Sequence, residues 1–139
     1  MKVTAYLNFN GRAEEAAGFY ADALRGSIGN LYRYSDFPPC PEWEVPAGYG
    51  HKIGHCCVSF DGGSIGLADA LPSDPRTLGD GGHMLTLSCD SAEQAEEAFA
   101  RLGVGAQRIA CPMQEVFYAP RYGELVDRFG VLWGVMFEK

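Results

Sequence analysis

Apolar and polar positions alternate along this chain in short runs, and the same order of runs occurs twice. From Lys2 to Phe9 every second side chain is apolar, the pattern of a strand with one buried face. Ala16, Phe19, Tyr20, Ala23 and Leu24 then recur at helical spacing, with Asn10 placed to cap the helix and Gly26 to stop it. Ile28–Tyr34, Lys52–Phe60 and Ser64–Asp69 predict three further strands, the last two joined by an Asp61-Gly62-Gly63 hairpin turn. The second round opens with a strand at His83–Cys89. Asp90 followed by Glu93 reads as a capping box, Ala95, Ala98, Phe99 and Leu102 form one helix face, and Gly103 ends it. Strands follow near Ala106–Pro112, Gly123–Arg128 and Leu132–Glu138, with a Phe129-Gly130 turn between the last two. One offset, 80 residues, carries Leu7 to Leu87, Asn10 to Asp90 and Phe19 to Phe99. A spacing held over strand, cap and helix predicts a duplicated βαβββ unit in an α+β fold.

Two stretches break the alternation. Ser35–Gly50 carries Pro38, Pro39, Pro41 and Pro46, none of which can donate to a ladder, so it reads as a long loop. Phe37, Trp43 and Tyr49 on that loop favour a lid or an interface over disorder. The Pro-, Ser-, Asp- and Gly-rich run from Leu71 to Gly82 reads as the connector between copies. The expected organisation is one domain over residues 1–139, with module one at about 1–70, the connector at about 71–82 and module two at about 83–139.

Charge narrows the partners. A formal net charge of −7 and a pI near 4.8, with no basic run, argue against nucleic acid and against an anionic membrane surface. No apolar stretch approaches the ~20 residues of a membrane span. Met1-Lys2-Val3-Thr4 leads straight into a strand pattern with no signal peptide, so a cytoplasmic location is expected. The five cysteines fit reduced thiols in that compartment: their number is odd, and no Cys-x-x-Cys pair occurs. Cys56 and Cys57, adjacent on one strand, should face opposite sides of it.

Several longer runs resemble a known group. Tyr6-Leu7-Asn8-Phe9-Asn10-Gly11, Phe19-Tyr20, Gln114-Glu115-Val116-Phe117-Tyr118, Arg121-Tyr122-Gly123 and Asp127-Arg128-Phe129-Gly130-Val131-Leu132-Trp133 are similar to the PhnB-like group. That group belongs to the vicinal-oxygen-chelate superfamily, which includes glyoxalases, extradiol dioxygenases and bleomycin-resistance proteins. The resemblance implies two βαβββ modules forming a U-shaped, partly closed mixed sheet with helices on the outside, commonly in a homodimer. Metal-using members of the superfamily draw their ligands from the first and last strands of the modules. The matching positions here are Thr4 or Ala5, the run Ile65-Gly66-Leu67-Ala68, Met84 and Gly134, and none is a competent ligand for a divalent ion. No metal and no cofactor are therefore expected. His83 stands one residue out of register, which on a strand means the opposite face. His51 and His55 would lie ~13 Å apart along a strand and could not share one ion. A methyltransferase reading fails as well, since the glycine-rich strand-to-helix turn of a dinucleotide-type site is missing.

The expected pocket draws on Tyr6, His55, Tyr118, Trp133 and Phe137, with Gln114, Glu115, Arg121 and Tyr122 near its rim. Aromatic walls with few polar groups suit an aromatic or largely apolar small molecule. Gln114 and Glu115 either orient a ligand or lie in a solvated loop after Pro112. Arg121 either clamps a carboxylate or neutralises Glu115 or Glu124, and Trp133 is either pocket wall or core. No acid–base pair or nucleophile stands out, so the catalytic residues are unassigned. The expectation is a metal-independent small-molecule-binding homodimer. The alternative is a glyoxalase-like lyase or oxygenase with a relocated metal site built from His55, His83 and Glu115. A third possibility is an interaction module whose aromatic loop builds the dimer.

Overall fold

The computed structural model describes residues 1–78 and 82–139, and contacts divide the chain into two compact units, Met1–Leu78 and Gly79–Lys139. Unit one contains β1 (Ala5–Phe9), α1 (Ala13–Ala23), β2 (Ser27–Arg33), β3 (Ile53–Phe60) and β4 (Gly63–Asp69). Unit two contains β5 (Leu85–Ser88), α2 (Ala92–Leu102), β6 (Arg108–Val116), β7 (Ala119–Val126) and β8 (Leu132–Phe137). The sheets run β1-β4-β3-β2 and β5-β8-β7-β6, and in each the first strand pairs parallel with the last while the other pairs are antiparallel. This is an α+β fold of two βαβββ units. The expected connector begins outside the strands at Leu71, and its residues 79–81 lie outside the described residues.

Each sheet buries one face against its own helix. In unit one Leu7, Phe9, Cys56, Val58, Ile65 and Leu67 are buried, and α1 answers with Ala13, Ala16, Ala17, Tyr20 and Ala23. Four alanines bring the helix close to the sheet, and Tyr20, fully buried, fills the remaining volume. In unit two Leu125, Trp133 and Val135 meet Ala95, Ala98 and Leu102. The Phe99 ring lies over Gly123, where a Cβ would stand 2.7 Å from it.

The repeat holds with one slip. Tyr6 pairs with Gly66 and Thr86 with Gly134, which keeps the offset of 80 for the first strands. The helices correspond at 79 instead, since Ala16 matches Ala95 and Ala23 matches Leu102 in burial. The counterpart of Phe99 is thus Tyr20, and Phe19 is only half-buried beside it.

The helix ends differ from expectation in informative ways. Asn10 does not cap α1; its side-chain amide donates to the Arg76 carbonyl at 2.5 Å and accepts from the Arg76 amide at 3.2 Å. The capping acceptor is Asp69, at the end of β4 and buried, whose Oδ1 accepts from the amides of Gly11 (2.7 Å) and Ala13 (2.9 Å). Its Oδ2 accepts from the Ile53 amide at 3.1 Å, tying in β3 as well. At α2 the cap is Ser91 and not Asp90: Ser91 Oγ accepts from the Gln94 amide at 3.1 Å, and Gln94 Oε1 accepts from the Asp90 amide at 2.6 Å. At the C-terminus of α1 the left-handed residue is Arg25 (φ 53°), and the amides of Arg25 and Gly26 donate to the Asp22 and Ala21 carbonyls. Gly26 is needed for close approach, because a Cβ there would collide with the Ser59 carbonyl.

In unit two the β7–β8 turn closes on a second buried carboxylate. Asp127 Oδ1 accepts from the amides of Phe129 (2.8 Å) and Val131 (3.0 Å), and Oδ2 accepts from Trp133 Nε1 (2.9 Å). The strands of that hairpin region also exceed expectation. β6 runs on through Pro112 to Val116 as an edge strand with register shifts, which is where a proline is tolerated.

Two truncations test this frame. Tyr20→Ala should lower unfolding stability by about 3–5 kcal/mol as a large-to-small core change. Asp69→Ala leaves three backbone donors without their acceptor and should cost at least about 3 kcal/mol. Chemical denaturation measures both, and a loss below about 1 kcal/mol for either would place that side chain outside the framework.

Candidate functional site

The long loop of unit one folds back onto its own sheet. Tyr34 opens a short 3-10 turn (Tyr34–Asp36), and its ring packs against Phe37 (5.8 Å between centroids), Trp43 (6.0 Å) and Tyr49 (5.8 Å). Two phenols pin the cluster: Tyr34 donates to the Asp69 carbonyl at 2.6 Å, and Tyr49 donates to the Ala70 carbonyl at 2.5 Å. Burial, and then the nearby Asp69 carboxylate, push both phenols above their ordinary pKa. Gly54 makes room for the wall, since a Cβ there would stand 2.7 Å from the Phe37 ring.

Between this wall and the sheet lies a cavity of about 550 Å³, with Tyr6, Asn8 and Ala68 on the strand side and Phe37 and Trp43 on the loop side. Asp74 and Arg76, ion-paired at 3.2 Å, also line it, as does Glu42. A second hollow of about 670 Å³ is lined by residues 34, 35 and 37–45 of the loop itself and shares the Phe37 and Trp43 wall. The first hollow has a floor of paired strands, so its shape is fixed by the fold.

Beside the cavity, on the sheet face away from α1, three polar side chains meet. The Tyr6 hydroxyl lies 2.8 Å from His55 Nδ1, and the rings stack with centroids 5.7 Å apart and planes 16° apart. On the other side of the imidazole, Nε2 lies 3.7 Å from Cys57 Sγ. Gly66 explains the reach. It stands between Tyr6 and Cys57 in the register, and a Cβ there would lie 2.5 Å from the Tyr6 ring. Without one, the ring lies across β4 toward β3. Burial, then Cys56 and Cys57, push the Tyr6 phenol above its usual pKa and keep it neutral.

Cys56 points the other way, under α1, where burial pushes its thiol up to about 11. The adjacent cysteines do face opposite sides. Tyr6 and His55 are the two expected site residues that the structure brings together in unit one. The sequence pattern also places Cys57 with His55, since His-x-Cys on a strand puts both side chains on one face.

The other expected residues belong to unit two. Tyr118 and Tyr122 meet edge-on at 5.7 Å on the sheet face away from α2. Burial, then Glu124 and Tyr118, push the Tyr122 phenol up to about 12. Gln114 and Glu115 sit in β6, not in a loop, and Gln114 Nε2 donates to Cys111 Sγ and to the Pro112 carbonyl, each at 3.3 Å. Glu115 is exposed. Arg121 turns toward α2 and pairs with Glu96 at 2.8 Å, so neither Glu115 nor Glu124 is its partner. Trp133, at 2% exposure, is core: its indole is held by Asp127 on the helix face of the sheet.

His83 is exposed. Met84 lies against Gly134, with its Sδ 3.2 Å from where a Cβ would stand. Among the described residues no three His, Cys, Asp or Glu side chains converge to hold a metal ion, and no helix is long and apolar enough to cross a membrane.

Comparison with known proteins gives a consistent pattern. No protein-family model matches the chain. Protein PA1353 from Pseudomonas aeruginosa is 30% identical, with a TM-score of 0.86 covering 99% of this chain and 98% of that one. Protein YjdN from Escherichia coli is 27% identical over 96% of this chain and 92% of its own length. The PhnB protein from Bacillus cereus shares the fold at 24% identity and a TM-score of 0.75, covering 99% of each chain. A glyoxylase/bleomycin resistance protein/dioxygenase domain from Frankia sp. EAN1pec shares it at 16% identity and 0.69, covering 100% of this chain and 98% of that one.

The raised Tyr122 phenol has a pH consequence. A folded-state pKa above the unfolded value of about 10 adds stability that is complete below pH 10 and lost as pH rises toward 12. Denaturation between about pH 9 and 11 should therefore show a steeper loss for the natural chain than for Tyr122→Phe. Parallel slopes would mean that the phenol titrates as it does in water.

Proposed function

Because the chain belongs to one family with protein PA1353 and shares the fold of glyoxalase/bleomycin-resistance proteins, we propose that it is a metal-independent small-molecule-binding protein of the vicinal-oxygen-chelate superfamily. Its ligand is aromatic or largely apolar and lies in the cavity of unit one, against Phe37 and Trp43. The observation that carries this reading is the built aromatic wall: four rings packed on one another, two of them anchored to β4 and the residue after it, over a floor of paired strands. A volume near 550 Å³ accommodates a molecule of one or two rings. The polar side chains at the cavity, among them Asn8, Glu42, Ser73 and the Asp74–Arg76 pair, can orient such a ligand while the rings supply its wall.

The metal of the superfamily does not fit the residues present. At the corresponding positions the chain has a thioether facing a glycine, Met84 and Gly134, and a phenol ring lying over Gly66. None of the corresponding residues themselves, Thr4 or Ala5, Ile65–Ala68, Met84 and Gly134, carries the carboxylate or imidazole that such a site uses. The proposal also includes a homodimer, supported by the fully exposed Phe117 beside the half-exposed Tyr118 at the β6–β7 turn. The five free cysteines support a cytoplasmic location.

Thermal-shift screening of one- and two-ring aromatic compounds, with and without chelator, tests the reading. Binders should raise the melting temperature equally in both conditions, and Trp43→Ala should weaken them by about tenfold or more, roughly the effect of losing one aromatic contact. A stoichiometric divalent ion whose removal abolishes binding would overturn the proposal in favour of a relocated metal site.

A further inference from the structure

We propose that Tyr6, His55 and Cys57 form a thiol–imidazole–phenol site in which Cys57 adds to α,β-unsaturated carbonyl compounds. The three side chains come from two strands and meet on one open face. Sγ lies 3.7 Å from His55 Nε2, within reach of a sulfur hydrogen bond, and His55 Nδ1 lies 2.8 Å from the Tyr6 hydroxyl. This is the arrangement a cysteine nucleophile requires: a base beside the thiol, and a third group that fixes the base. With the ring proton on Nδ1 donating to the Tyr6 oxygen, Nε2 is free to accept the thiol proton. The flat stacking of the Tyr6 ring on the imidazole holds its orientation, and Tyr6 acts only through His55.

The other four thiols lack this setting. Cys56 is buried on the helix side. Cys40 donates to the Glu42 carboxylate at 2.8 Å. Cys111 meets the Gln114 amide and the Pro112 carbonyl, and the Cys89 thiol is pushed up by burial and then by Asp90. Among the described residues, Cys57 alone stands against an imidazole.

The addition balances without any co-reactant. The Sγ proton moves to His55 Nε2, and a sulfur electron pair forms the S–C bond to the β-carbon of the acceptor. The C=C pair shifts toward the carbonyl as an enolate, and the α-carbon takes a proton back from Nε2. The product is a thioether, nothing leaves, and no oxidation state changes outside the two carbons of the alkene. A soft carbon electrophile is the class that a thiolate prefers, and it needs neither metal nor reductant. The inference rests on strand geometry and stands whether or not the aromatic cavity binds a ligand.

The test is site-resolved alkylation of the intact protein by N-ethylmaleimide, read by peptide mass across pH 5–10. Cys57 should label first of the five cysteines. Its rate should depend on the imidazole beside it; the groups facing His55 are Tyr6, Cys57 and Tyr32, none of them cationic. In His55→Gln the rate at pH 7 should fall by about tenfold or more and track an ordinary thiol near pH 8.5. Tyr6→Phe keeps the stacked ring but loses the hydroxyl, and it should shift the midpoint of the Cys57 profile. Protection of Cys56 reports that each variant is folded, and the natural chain's own profile decides the matter should His55→Gln unfold. Cys57 labelling no faster than Cys89 or Cys111 in the natural chain, or as fast in His55→Gln as in the natural chain, would overturn the proposal.

Discussion

The end of β4 is where the fold and the candidate site depend on the same atoms. Asp69 uses its carboxylate inward, against two amides at the start of α1 and one at the start of β3. Its carbonyl faces the other way and accepts the Tyr34 phenol, while the next carbonyl, that of Ala70, accepts Tyr49. A buried carboxylate with three amide donors is an expensive group to leave partly satisfied, so its position is fixed by all three at once. The aromatic wall inherits that rigidity. Loops are ordinarily the mobile part of a small domain, yet this one is held by hydrogen bonds to the strand that helix, sheet and cap all converge on. Removing the Asp69 side chain would therefore loosen the helix and the site together.

How much of this could be read from the letters depends on how local each cause is. Strand alternation and helix spacing are local, and they predicted eight strands and two helices in the right order. The cap of α1 is not legible because its acceptor lies 56 residues from Ala13, and no pattern around Asn10 can announce it. The one-residue slip between strand and helix offsets was invisible for a related reason. Both Phe19 and Tyr20 are aromatic, and only the helix bounds tell which of them matches Phe99. Proline gave a misleading signal at Pro112, since an edge strand tolerates what a central strand would not.

The candidate site was legible in pieces. Phe37, Trp43 and Tyr49 stood out because three large apolar rings in a proline-rich loop must be covered by something. Tyr6 and His55 were singled out separately, but their partnership spans 49 residues and rests on the absence of a side chain at Gly66. A missing Cβ has no sequence signature beyond the letter itself. Trp133 and Arg121 show the reverse error. Both look like binding residues by type, yet one is committed to Asp127 and the other to Glu96. Residue type gives the chemistry a side chain is capable of, and the partner decides whether that chemistry is still available.

The two glycines at the matching point of the last strands show how a duplicated unit can diverge without changing its frame. Gly66 pairs with Tyr6 and Gly134 with Thr86, so each opens the same gap on the face away from the helix. In unit one the gap takes a phenol ring, which reaches across to an imidazole and sets up a polar constellation. In unit two it takes the thioether of Met84, with the Tyr122 hydroxyl 3.7 Å from where a Cβ would stand. Substituting either glycine would evict its tenant while the sheet hydrogen bonds stayed intact, because those run through the backbone. The scaffold thus tolerates wide changes of side chain at these two points, and the chemistry of each unit follows from which neighbour moves in.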